Sequence, residues 1–137
     1  MKKTIKTALL TIFVLTLFAT TSCDRAEKTA ELKATEFLDA YFRFDYEKAA
    51  LLCTQELAEE LSASLKSIES LEEGIRNMVI KQASEVKTTI KSVDAESKKD
   101  TVIVTYSVAL PSFPNGIDNT LSLSKVDKEW KIVELGR

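Results

Sequence analysis

Read for the spacing of its apolar positions, the chain falls into three stretches. Residues 8 to 19 are a continuous apolar run, Ala8 to Ala19 (ALLTIFVLTLFA), with no polar face. From Ala26 to Phe44 apolar residues recur at steps of three and four. Ala30, Ala34, Phe37, Leu38, Tyr41 and Phe42 fall on one side, with Lys28, Glu31, Lys33, Glu36 and Arg43 largely on the other. That period predicts one amphipathic helix. Asp45 is a good N-cap for a short second helix reaching Cys53, and Thr54 is the next cap candidate. Leu57, Leu61, Leu65, Ile68, Leu71, Ile75, Met78 and Val79 form a long helical stripe. It is expected to break near Ser67 to Ser70, where Ser70-Leu71-Glu72-Glu73 has the form of a capping box ahead of Gly74.

From Glu85 the period changes to two. Val102, Val104, Tyr106, Val108 and Leu110 alternate with Ile103, Thr105, Ser107 and Ala109, which predicts a strand. Val86 to Val93, Asn119 to Val126 and Glu129 to Leu135 read as three more. Asp94 to Asp100, Pro111 to Gly116 and Val126 to Glu129 read as the connections. Connections this short join antiparallel neighbours, so the second half is a four-stranded meander. Helices first and one sheet afterwards, each needing the other to bury its apolar face, is an α+β layer fold.

The N-terminus has its own logic. A basic start (Lys2, Lys3, Lys6), an apolar run of 12 residues and a small-residue end at Thr20-Thr21-Ser22-Cys23 follow the plan of a secretory signal. The run is too short to span a bilayer, which takes about 20 residues. The last four residues resemble a lipobox: Ser22 is the small residue before the cut, and the Cys23 thiol accepts diacylglycerol and palmitate-type acyl chains. Thr20 departs from the aliphatic residue many lipoboxes have at that place; polar variants ending Ser-Cys resemble those of Bacteroides-type bacteria. The expected organisation is a lipoprotein signal peptide over 1–22, a lipidated tether over 23–28 and one α+β domain over 29–137. Buried methylenes contribute about 0.8 kcal/mol each, so two or three chains on Cys23 make release from the membrane negligible. The reading places the protein in a bacterial cell envelope, on the outer membrane, with its periplasmic or surface facing open.

Charge and chemistry narrow the function classes. The formal charge is −2; without the three leader lysines, 16 basic side chains face 21 acidic ones, a net of −5. A mildly acidic domain repels phosphate backbones, so no nucleic-acid partner is expected. The chain has no histidine, which removes the commonest general base and metal ligand. Neither metal nor cofactor is expected. With Cys23 lipidated, Cys53 has no disulfide partner, and its apolar surroundings suggest a buried inert thiol. The acidic runs 56–60 and 69–73 lack the oxygen pattern of a calcium loop and read as solvated helix faces.

The order of elements, the segment Phe44-Asp45-Tyr46-Glu47-Lys48-Ala49 and the closing Val126-Asp127-Lys128-Glu129-Trp130-Lys131-Ile132 hairpin resemble the nuclear transport factor 2-like superfamily. The nearest likeness is to its small bacterial lipoproteins of unknown function. Phe44 replaces a usual glycine. The resemblance implies a strongly bent, cystatin-like sheet wrapped on the helices, often around a cone-shaped pocket. Tyr41, Tyr46, Tyr106 and Trp130 are the residues able to line it, against the plainer reading of packed aromatics. In this reading the domain binds a small apolar ligand or an envelope protein without catalysis. The alternative is an isomerase- or dehydratase-like pocket pairing a buried carboxylate with a tyrosine. Asp39, Asp45 and Asp94 are the candidates, but they look better explained as a solvent-facing residue, a helix cap and a turn residue.

Overall fold

The computed structural model describes residues 24–136. Cys23 and the leader lie outside them. Helix α1 runs over 24–42 of the described chain, followed by α2 (Tyr46–Leu52), α3 (Gln55–Glu69) and α4 (Glu73–Ser84). Four strands follow: β1 (Lys87–Lys98), β2 (Thr101–Leu110), β3 (Phe113–Val126) and β4 (Glu129–Leu135). They form one antiparallel sheet in the order β1-β2-β3-β4, the expected meander. Register slips interrupt all three pairings, and such bulges bend a sheet.

The core lies between the inner face of the sheet and α1 to α3. Phe37, Leu38, Val102, Val104, Leu121, Leu123 and Ile132 are its largest fully buried side chains. Ala30, Ala34, Ala49, Leu57 and Leu61 complete the helical side. The small alanines on α1 let that helix approach its neighbours closely, while the alternation along β2 aims every second side chain inward.

The junction between α1 and α2 is built from backbone. The Asp45 N–H donates to the Ala40 carbonyl at 2.9 Å and the Phe44 N–H to the Tyr41 carbonyl at 3.2 Å, the two bonds of a Schellman closure. That closure puts Phe44 at φ +59, the left-handed region usually given to glycine. Asp45 then caps α2, its carboxylate accepting from the Lys48 N–H at 3.2 Å. At the other end of α2, Lys131 Nζ donates to the Leu51 carbonyl at 2.7 Å.

Several expectations need correction. Thr54 occupies the N-cap of α3, but its side chain makes no capping bond; its backbone N–H goes to the Ile132 carbonyl instead. The cap of α4 is Glu72, whose carboxylate accepts from the Gly74 N–H, so the box expected at Ser70 does not form. The Ser70 hydroxyl donates to the Ser67 carbonyl. The break in the helical stripe is real, between Glu69 and Glu73, yet it ends the stripe's burial. Leu57 and Leu61 are in the core, whereas Ile75 and Met78 are 45% and 56% exposed, because no residue of α4 reaches the core.

Two strands are longer than expected. β1 continues through Asp94 to Lys98. The residues read as a turn form an irregular stretch in which the Asp94 carboxylate accepts from the backbone N–H groups of Glu96 and Ser97, each at 2.9 Å. The Ser97 hydroxyl donates to it as well, and the Ser97 bonds hold this exposed carboxyl below the usual aspartate range. β3 begins at Phe113, directly after a two-residue turn at Pro111-Ser112. Pro114 is tolerated because β4 reaches only as far as Leu121, leaving this part of β3 at the sheet's edge. Gly116, at φ +70, absorbs the extra residues opposite Ala109. The last hairpin turns on Asp127 and Lys128, both at positive φ, the form that suits a two-residue turn.

Candidate functional site

A cleft of about 640 Å³ opens between the C-terminal end of α1, the first turns of α3 and the end of β4. Its lining is Tyr41 from α1, Glu56, Leu57 and Glu60 from α3, and residues 133–136 from β4. Each wall has a local cause. Tyr41 sits one turn before the Schellman closure that stops α1. The spacing of Leu57 and Leu61 turns one side of α3 into the core, and Glu56 and Glu60, each one residue before a leucine, fall at the water-facing border of that stripe. Glu56 also lies in the first turn of α3, where a carboxylate is favoured by the helix dipole. Beyond the hydrogen-bonded strand, Gly136 is still held to the sheet, its N–H donating to the Thr120 carbonyl at 2.7 Å.

Leu57, Val133 and Leu135 supply apolar lining and Glu56, Glu60 and Glu134 acidic lining. The three glutamates are exposed, and among the described residues no basic side chain lines the cleft. The volume falls within the roughly 300–1,000 Å³ usual for ligand clefts. A lining of exposed carboxylates with a few apolar side chains suits a ligand that has both a cationic and an apolar part.

Of the four aromatic residues singled out from sequence, the structure brings three together and leaves one apart. The Tyr41 ring lies 5.9 Å from Phe37, 5.1 Å from Phe42 and 5.8 Å from Tyr46, centroid to centroid. Tyr46 and Tyr106 are buried behind Tyr41 and do not line the cleft. Burial, and then the nearby Tyr41 phenol, pushes Tyr46 up to about 12 and raises Tyr106 as well. Both stay protonated near neutral pH, as donors rather than bases. Trp130 sits opposite Lys125 in the last hairpin, with Lys125 Nζ 5.4 Å from its ring centre, away from the cleft.

The carboxylates weighed as catalytic candidates are placed elsewhere. Asp39 faces water and pairs with Arg43 at 2.7 Å. Asp45 is the α2 cap and Asp94 holds the β1 irregularity. Among the described residues no charged side chain is buried, and no group of acidic or cysteine side chains is arranged to hold a metal ion. Cys53 is a buried free thiol whose Sγ faces the Ala50 carbonyl at 3.7 Å; burial pushes it up, with the Lys131 charge opposing.

The residues missed in the sequence are Glu56, Leu57, Glu60 and those at 133–136. The signal available was the position of the Trp-Lys-Ile strand, the last of the four in the meander. Glu56 and Glu60 looked like any solvated helix face until β4 was placed beside them.

No protein-family model matches the chain, and neither does any curated protein. Solved structures do. A nuclear transport factor 2-like protein of unknown function from Shewanella oneidensis MR-1 aligns over 77% of this chain and 92% of its own, with a TM-score of 0.52 at 17% identity. A structure from Campylobacter jejuni described as a putative nuclear transport factor 2-like transpeptidase covers 77% of this chain and 97% of its own, with a TM-score of 0.48 at 13% identity. A nuclear transport factor 2-like protein of unknown function from Cytophaga hutchinsonii covers 75% and 86%, with a TM-score of 0.40 at 11% identity. The likeness is one of fold.

Proposed function

We propose that this chain, whose domain has the nuclear transport factor 2-like fold, is a lipid-anchored protein of the bacterial cell envelope that binds a ligand or partner at the α1–α3–β4 cleft without transforming it. The cleft carries the binding half of the reading: an open space lined by exposed carboxylates and a few apolar side chains. A carboxylate acting as acid or base at neutral pH needs surroundings that desolvate it or couple it to another group. Charges on an exposed rim serve recognition instead. Tyr46 and Tyr106, buried behind the lining, keep their protons and offer no base to the cleft.

The anchoring half rests on the leader and on Cys23, which precedes the described domain by one residue. Among the described residues no helix is long and apolar enough to cross a membrane, so attachment through lipid on Cys23 is consistent with the folded part. The test is fractionation of the chain in its native host. The wild-type protein is expected with outer membranes, carrying acyl mass on Cys23, and Cys23→Ser is expected to leave them. An unchanged membrane fraction in the variant would sink the reading.

A further inference from the structure

Among the described residues β4 is an edge strand, with β3 on one side and no strand on the other. Such an edge presents backbone N–H and C=O groups able to pair with another extended chain. The protein covers the first part of this edge itself. Cys53 forms a parallel bridge with Ile132, and the Thr54 N–H donates to the Ile132 carbonyl at 3.0 Å. The cover stops there because the chain turns into α3 at Gln55. The edge continues along residues 133–136, and that stretch is a wall of the cleft. Among the described residues, the Gly136 N–H bond to Thr120 lies on the β3 side, and no loop or cap bond reaches the outer side beyond Ile132.

We propose that the cleft takes an extended peptide segment bearing Lys or Arg side chains, which adds to the β4 edge where Cys53 and Thr54 leave off. The inference rests on the binding reading above and names the class of partner. Backbone pairing supplies sequence-independent affinity, and the pockets for alternate side chains supply selection. Successive side chains of a strand point to opposite sides. A segment alternating apolar and basic residues therefore presents its apolar chains to Leu57 and Leu135 and its cations to Glu56 and Glu134. Among the described residues no basic side chain lines the cleft, which disfavours acidic segments.

The test uses the full-length chain in phosphatidylcholine nanodiscs, whose zwitterionic surface does not hold basic peptides by net charge. Three fluorescent peptides of equal length are titrated: alternating lysine and valine, the same with glutamate for lysine, and the lysine peptide N-methylated at alternate backbone nitrogens. The lysine peptide is expected to bind at least about tenfold more tightly than either other peptide, and to shift the amide resonances of residues 133–136. Glu56→Gln with Glu134→Gln, both at exposed positions, is expected to weaken it by about tenfold and to flatten its salt dependence. Absent binding, equal binding of all three peptides, or shifts confined to β1 overturns the inference. A parallel nuclear magnetic resonance screen with neutral apolar fragments separates the two levels. Fragments in the cleft without peptide binding sink the peptide inference alone; no occupant of either kind sinks the binding reading with it.

Discussion

The Asp45 N–H closes α1 on the Ala40 carbonyl at 2.9 Å while the Asp45 carboxylate opens α2 on the Lys48 N–H at 3.2 Å. One residue thus ends a helix with its backbone and starts the next with its side chain. The cap of α3 works differently: Thr54 gives its backbone N–H to Ile132, and its hydroxyl caps nothing. Asp45→Ala should therefore cost about 1 kcal/mol, the usual loss for a capping side chain. Thr54→Ala should change stability by less than about 0.5 kcal/mol. Urea unfolding of both variants checks this; equal losses would mean that Thr54 caps α3 in solution.

Phe44 stands at φ +59 and also packs its ring edge-on to Tyr46 at 5.8 Å. The backbone favours glycine and the ring favours phenylalanine. Removing the ring with alanine keeps the left-handed strain, whereas glycine relieves it. Phe44→Gly should be more stable than Phe44→Ala by about 1 kcal/mol, although both lose the aromatic contact. The ordering of the two midpoints in urea is the measurement. Alanine at or above glycine would place residue 44 outside the left-handed region.

Tyr46 supplies an alkaline prediction. Its phenol ordinarily ionises near 10.0 and is pushed up to about 12 in the folded chain. Because the folded value is the higher one, the unfolded chain releases its proton first as pH rises. Stability from this group is complete below pH 10 and is lost between there and about 12. Tyr46→Phe should flatten that part of the curve, with Tyr106 contributing what remains. Melting temperatures between pH 9 and 11.5 test the slope, and absorbance near 295 nm should show late phenol ionisation. An unchanged slope in Tyr46→Phe would contradict the assignment.

The helical stripe divides at Glu69, and so should its energetics. Leu61 is 3% exposed in the core, whereas Met78 on α4 is 56% exposed. Leu61→Ala should cost roughly 2–5 kcal/mol, the range for deleting a buried leucine side chain. Met78→Ala should stay within about 0.5 kcal/mol. A large loss at Met78 would show that α4 is covered in solution by something beyond the described contacts.

Much of the fold was legible because it follows from local periodicity. Alternation through Tyr106, steps of three and four through Phe37 and Leu38, and short Asp- and Lys-bearing turns each depend only on neighbours in the chain. The two misread connections share one cause. Asp94 to Lys98 and Pro111 to Gly116 contain residues that favour turns, but a bulged strand accepts the same residues. Whether the chain reverses or merely bends there is decided by the strand beside it. The sequence offered Tyr41, Tyr46 and Tyr106 either as pocket lining or as packed aromatics. Which of them meets solvent depended on where α1 stops.

By itself, the sequence determined the order of elements, the inward face of each strand, the cap at Asp45 and the expectation of an anchor at Cys23, since each is carried by residues within a few positions of one another. The tertiary structure alone decided that, among the described residues, β4's far end is uncovered, that Glu56, Glu60 and Glu134 line one cleft, and that Trp130 lies elsewhere. Those relationships join residues some eighty positions apart. Their distances are set by how the meander bends over the helices, which no local spacing encodes.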